Sequence, residues 1–187
     1  MMQKSLLACR PGPAGVGVFA LRAIEPGRRL LEFTGPVLDR KALDAALACA
    51  TVDSYLQIAT DSYMGPSGAM DDFINHSCDP NCGLRFSRSR IVLTAIRPIE
   101  PDEEITFDYA TTQNAYPYRF SCSCDSSNCR HDIGDFDDLP SSLKRKYYEL
   151  GVLAPYLAAT LTSRADSVAS ASMDAKKPVG KRQILLT

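Results

Sequence analysis

The chain has 187 residues, 45% hydrophobic and 23% charged, a balance that supports a buried core and excludes wholesale disorder. Eleven glycines and twelve prolines mark a turn-rich chain rather than a helical bundle, and no apolar run approaches the ~20 residues that a membrane span needs. The net charge of −1 is unevenly spread, with residues 159–187 at +3 and the preceding body at −4, so the body suits a basic partner and repels a phosphate backbone.

In chain order, the turn Pro11-Gly12-Pro13-Ala14-Gly15 leads into a short strand over Val16–Ala20. Glu25-Pro26-Gly27 turns the chain into a second strand, Leu30–Phe33. Leu43, Ala46, Leu47 and Ala50 recur at helical spacing and predict a helix over Asp39–Ala50, with Cys49 in its apolar stripe. A strand over Tyr55–Thr60 precedes a loop containing Gly65, Pro66 and Gly68. Gly83–Phe86 and Ile91–Ala95 read as a hairpin, and Ile105–Tyr109 as a further strand. Residues 120–138 form a Cys/Asp/Ser loop too poor in apolar groups for its own core. Pro140–Leu161 is predicted helical, capped by Ser141 and interrupted near Gly151. Beyond Thr162 the Ser/Ala/Lys composition predicts a basic tail without fixed structure.

Seven cysteines carry the first chemical signal. The N-terminal segment lacks the apolar ~7–15 residues of a secretory leader, although Leu6-Leu7-Ala8-Cys9 resembles a lipoprotein cleavage box. The expected setting is therefore intracellular and reducing, where clustered cysteines serve as metal ligands more often than as disulfides. Cys122, Cys124 and Cys129 form C-x-C-x4-C among serines and aspartates, a setting unlike that of packed core cysteines. A closed structural zinc site takes four N/S ligands. The fourth is open among Cys78, Cys82, Cys9, Cys49, His76 and His131.

Four blocks then occur in order: Gly15-Val16-Gly17 within residues 15–25, Phe-Ile-Asn-His-Ser-Cys-Asp-Pro-Asn at 73–81, Glu-Glu-Ile-Thr-Phe-Asp-Tyr at 103–109, and C-x-C-x4-C-R ending at Arg130. Together they resemble the SET-domain family of protein-lysine methyltransferases, over about Gly15 to Arg130. The resemblance implies a mostly β fold with short helices: a β-clip-like arrangement of small sheets with a knot-like C-terminal threading, then a C-terminal helix. It divides the chain into a SET domain (1–118), a zinc-binding post-SET segment (119–135), a helical extension (136–161) and the basic tail (162–187).

The same resemblance implies S-adenosylmethionine as cofactor, held by Gly15, Val16, Gly17, Asn75, His76, Tyr109 and Phe120. It assigns Cys78 as the fourth zinc ligand beside Cys122, Cys124 and Cys129. It gives Tyr109 as the catalytic tyrosine, with Tyr55 as a second catalytic residue beside the channel, and Phe107, Tyr55 and Tyr116 line the substrate channel, with Tyr118 as a further wall. Phe107 stands where a tyrosine hydroxyl would limit the reaction to one methyl, so di- or trimethylation is implied. The implied partner is a lysine-containing basic protein or peptide, such as a histone or histone-like protein, with no direct nucleic-acid or membrane contact by the core. The implied location is cytoplasmic in a bacterium, and nuclear or cytoplasmic in a eukaryote. The sequence departs from the family pattern at Asp72, where an arginine is common, and in the short stretch between Gly35 and Tyr55. Two other readings compete: a His76/Cys78 nucleophilic pair, which lacks a local hydrolase signature, and a zinc-stabilised module that binds a basic peptide without catalysis.

Overall fold

Alternating apolar and polar residues over short turn-bounded segments produce strands too short for one large sheet, and five small sheets form among the described residues instead. The computed structural model describes residues 5–49, 54–114 and 119–162. Tyr116, Tyr118, the final helical position Ala50 and the tail beyond Thr162 lie outside them.

Leu7–Gly12 and Gly15–Ala20 pair as an antiparallel hairpin closed over Pro13 and Ala14. The first of these strands was not expected, because Pro11 and Gly12 read as turn residues. Here they end an edge strand, where proline is tolerated. Arg29–Phe33, Ile91–Ala95 and Cys82–Phe86 form a three-stranded antiparallel sheet, with an irregularity between Arg29 and Leu31. Val37–Asp39, Ser62–Met64 and Leu56–Ala59 form another. The helix Arg40–Cys49 packs Leu43 against Tyr63, but Cys49 is exposed. Six residues beyond Leu43 is a rotation of roughly 240°, which takes Cys49 off the buried face.

The principal core is aliphatic: Val18, Ala20, Ile24, Leu84, Leu93, Ile99 and Ile105 are all essentially buried. Backbone bonds lock the first hairpin onto the 103–109 block, with the Ala20 amide donating to the Glu103 carbonyl at 3.0 Å and the Ile105 amide to Val18 at 2.7 Å. The predicted strand Ile105–Tyr109 is shorter than expected. Only Thr106–Phe107 is extended, paired in parallel with Asn75–His76, after which Tyr109–Thr111 tightens into a 3₁₀ turn. The Asp108 side chain accepts the Ala110 amide, which turns the chain at that point.

The C-terminal extension is helical but broken. Ser141–Glu149 forms one helix and residues 155–162 are helical again, with Gly151 at φ 64° between them. Pro140, not Ser141, occupies the cap position. The fixed φ of proline pre-sets the helical approach instead, and the Pro140 carbonyl accepts from the amides of Leu143 and Lys144. Phe136, Leu139, Tyr147, Val152 and Leu157 build a second core against Ala110 and Phe86. No residue of this extension lines either cavity described below, so it packs behind the site rather than over it.

Candidate active site and metal centre

The parallel pairing of Asn75–His76 with Thr106–Phe107 brings two distant sequence blocks side by side. Two cavities open beside this pair. One is narrow, about 70 Å³, and is walled by Phe33, Tyr55, Ile74, Phe107 and Tyr109, with Asp71 and Asp72 also on its lining. The other is wide, about 460 Å³, and is lined by Ala14, Asn75, His76, Glu104, Phe120 and the loop 121–126, among others. Tyr109 belongs to both linings. Its hydroxyl donates to the Ile74 carbonyl at 2.8 Å. Its ring lies 4.9 Å from Phe107 and 5.8 Å from Phe120.

Pro13 and Ala14 line the wide cavity, and Gly15, Val16 and Gly17 continue from them along the strand. Gly15 has φ 102°, a conformation that favours glycine. The Val16 carbonyl accepts from the Asn75 side-chain amide at 3.2 Å. A Cβ added at Gly17 would meet the Glu104 carboxylate, which would have to move aside.

His76 is oriented from both ends. Its Nδ1 accepts the Tyr109 amide at 3.2 Å, which leaves the proton on Nε2, 3.4 Å from Cys78 Sγ. Burial, opposed by Asp108 and aided by Arg130, lowers its pKa to about 4, so the ring is neutral. The imidazole thus links the backbone of Tyr109 to a cysteine, and its ring stacks edge-on against Phe120 at 5.5 Å.

The Sγ atoms of Cys78, Cys122, Cys124 and Cys129 all lie within 4.8 Å of one another. With Ile133 and Phe120 they form a small separate core, so the loop that looked too polar for a core acquires one from its thiols. Burial pushes the Cys78 thiol up to about 11 and raises Cys122 as well. At Cys124 burial acts in the same direction, but hydrogen bonds from Ser126 and the Cys78 amide outweigh it and bring the thiol to about 6. The amides of Cys78 and Arg130 point at Cys124 and Cys78 sulfurs, at 3.4 and 3.3 Å. Four thiols in one shell, already receiving N–H donors suited to thiolates, fit a closed tetrahedral zinc site. Cys82, Cys9, Cys49 and His131 stand outside this group.

Beneath the cluster lies a network that the sequence did not disclose. Arg130 grips Asp108 with two bonds, 2.7 and 2.8 Å, and Tyr147 donates to the same carboxylate at 2.9 Å. The Asp108 side chain is 0% exposed. The C-x-C-x4-C-R spacing held the signal for Arg130, but nothing local in the sequence links Tyr147 to it. Asp72, standing where the family commonly has arginine, accepts the amides of Ser67 and Gly68 and so fixes the loop beside the narrow cavity.

A model of the SET domain matches residues 15–110. The histone-lysine N-methyltransferase Set2 of Drosophila melanogaster is 30% identical over 135 residues, covering 66% of this chain and 6% of that protein. The variant-silencing SET domain-containing protein of Plasmodium falciparum (isolate 3D7) is 34% identical over 130 residues, 62% of this chain and 5% of that protein. The chain therefore spans only a small part of the length of either relative. Among solved structures, KRYPTONITE in complex with mCHG DNA and SAH superposes with a TM-score of 0.52 at 25% identity, covering 67% of this chain and 28% of that one. KRYPTONITE in complex with mCHH DNA, H3(1-15) peptide and SAH gives 0.54 at 23% identity, covering 68% and 29%. The family match takes in the Gly15 strand, the 73–81 block and the tyrosine between the two cavities, and extends over more than half of the sequence: the chain belongs to the SET domain family.

Proposed function

We propose that this protein transfers methyl groups from S-adenosylmethionine to the side-chain amine of lysine in a basic protein. The observation that carries this reading is Tyr109, set where a narrow cavity and a wide one meet. The wide cavity has room for a nucleoside bearing an amino acid, and the narrow one for a slim unbranched chain. The relatives named as histone-lysine methyltransferases, and the SAH and histone H3 peptide held by KRYPTONITE, support these two occupants. A lysine in a histone-like tail is the proposed target, and chromatin or another store of basic protein the proposed location.

The bound cofactor supplies a methyl group activated by attachment to a sulfonium. The residues of this chain align the amine and dry it. A free lysine has a pKa of ~10.4 and is almost wholly protonated near pH 7. The aromatic walls Phe33, Tyr55, Phe107 and Tyr109 strip water from it, which favours loss of the proton. Asp71 and Asp72 at the same cavity attract the cationic side chain before that loss. The Tyr109 oxygen, anchored on the Ile74 carbonyl, directs the amine along the axis between the two cavities. Gly15, Val16, Gly17, Asn75, His76 and Phe120 are the proposed cofactor contacts, with His76 acting through its backbone because its ring is engaged inside the protein. Cys78, Cys122, Cys124 and Cys129 are the proposed zinc ligands, and the metal is structural, with four thiolates leaving no open position.

Phe107 is buried and brings no hydroxyl to the cavity, so a partly methylated amine can rotate and return. The expected products on a lysine-rich peptide are di- and trimethyl-lysine, and a mass spectrum containing only the monomethyl form would refute this point. Tyr109→Phe tests the whole reading. We expect kcat to fall by ~100-fold, the range found when one positioning hydrogen-bond group is removed from an active site. Cofactor affinity, read by calorimetry, should remain nearly unchanged. Turnover of the variant at the wild-type rate would overturn the assignment, and cofactor binding by the wild type with no transfer to any basic protein would favour a binding module.

A further inference from the structure

The helical segment 155–162 is tied to the wall of the narrow cavity, because the Tyr156 hydroxyl donates to the carbonyl of Thr112, one of the lining residues. From Tyr156 to Thr162 the helix rises only ~9 Å, so the chain leaves the described structure near that wall. Residues 163–187 follow, with five basic side chains against two acidic ones, Asp166 and Asp174. Three of the seven lysines of the chain are there: Lys176, Lys177 and Lys181. The narrow cavity carries the opposite sign. Asp71 and Asp72 are on its lining, and no lysine or arginine among the described residues is. Lys41, Lys144 and Lys146 are held in helices and line neither cavity. Lys144 is further engaged over the Phe136 ring. Lys176 stands 14 residues past Thr162, a covalent reach of up to ~46 Å at ~3.3 Å per residue, and Lys181 reaches further.

We propose that the chain methylates its own C-terminal tail, with Lys176, Lys177 or Lys181 entering the narrow cavity of the same molecule. A tether of this length presents the lysines at an effective concentration in the ~millimolar range without any new contact, and the two carboxylates on the lining attract them. In the transfer step the lone pair of a deprotonated lysine Nζ forms a bond to the methyl carbon of the sulfonium. The carbon–sulfur bond breaks with its electron pair left on sulfur, giving S-adenosylhomocysteine and a methylated ammonium, and the proton lost beforehand passes to solvent. The tail is thus a built-in substrate that competes with external peptides for the cavity. This inference rests on the proposed lysine methyl transfer, with the narrow cavity as the entrance for the amine.

The test is incubation of the purified, zinc-loaded full chain with labelled S-adenosylmethionine and no other protein, followed by proteolysis and mass spectrometry. We expect label on one or more of Lys176, Lys177 and Lys181. Its rate per molecule should stay constant over a ~100-fold dilution, because the tether sets the concentration of an intramolecular acceptor. Lysines already methylated on purification, but unmodified in Tyr109→Phe, count as the same result. The triple change Lys176→Arg, Lys177→Arg and Lys181→Arg keeps the charge of the tail and removes its acceptors. Label in the chain should then fall to background while transfer to an added lysine-rich peptide continues. Label on the added peptide but not on the tail, label confined to other lysines of the chain, or a tail rate per molecule that falls in proportion to dilution overturns the inference and leaves the methyl-transfer reading standing. Transfer to neither peptide nor chain overturns that reading, and self-methylation with it.

Discussion

The two sides of Tyr109 are built differently. The narrow cavity draws its walls entirely from residues between Phe33 and Gln113, backed by the aliphatic core. The wide cavity takes Phe120, Ser121, Cys122, Ser123, Cys124, Asp125 and Ser126 from a late loop whose own core is four thiols and Ile133. One side thus rests on ordinary hydrophobic packing, whose strength scales with buried area. The other rests on a small cluster that a metal would close. The difference teaches that the narrow side can persist when the wide side fails, because its walls rest on the aliphatic core rather than on the thiol cluster.

Removing the metal should break that asymmetry most completely. Chelation, or Cys122→Ser, takes away the free energy that closes the 120–133 loop, because metal binding and local folding are coupled. The expected outcome is a loss of cofactor affinity of at least ~100-fold, or about 2.7 kcal/mol, with the β signal in far-ultraviolet dichroism largely kept. Re-addition of zinc should restore the affinity of the chelated wild type but not that of Cys122→Ser. Unchanged cofactor affinity in the metal-free protein would show that the loop holds its place by itself.

Arg130 joins the two sides, since it follows Cys129 in the loop and binds Asp108 next to Tyr109. Arg130→Met would leave the Asp108 carboxylate buried with only Tyr147 and the Ala110 amide as donors. Stranding a buried charge in this way costs ~3–5 kcal/mol. A loss of that size in the unfolding free energy from denaturant titration is expected, together with weaker zinc retention against a competing chelator. The double change Asp108→Asn with Arg130→Met should recover part of the loss, because the uncompensated charge is gone. If the single variant is as stable as wild type, the pair contributes nothing and the loop is held by its thiols alone.

Much of the geometry around Tyr109 was legible because its groups sit in contiguous blocks. The 73–81 and 103–109 segments are short, and parallel pairing of two residues in each is enough to bring Asn75, His76, Phe107 and Tyr109 together. The cysteines were legible for the same reason, as a local triplet, although their spacing left the fourth partner open until the resemblance indicated Cys78. Glu104 lay inside a recognised block, but a carboxylate in a sequence gives no sign of whether a cation faces it. Tyr147 and Tyr156 were invisible as site residues because a helical stripe predicts only which face is buried. It does not say which distant polar group a buried hydroxyl will meet. Cys49 misled in the opposite sense, since an apolar residue at a helix end need not share the buried face.

The smallest expected effect bears on the narrow side alone. The Tyr156 hydroxyl donates to the Thr112 carbonyl at 2.6 Å, and Thr112 lines the narrow cavity. The next segment is tied in turn by the Asn114 amide to the Gln57 side chain at 2.9 Å. The segment 155–162 therefore braces the wall of the narrow cavity from behind. Tyr156→Phe should lower stability by ~1 kcal/mol, the net worth of one neutral hydrogen bond. Its kinetic signature is the sharper measurement. KM for a lysine peptide should rise a few-fold, in line with that energy, while the dissociation constant of the cofactor and the zinc content stay as in wild type. A change in cofactor affinity of equal size would mean that the two sides of Tyr109 are mechanically continuous and that the extension supports both.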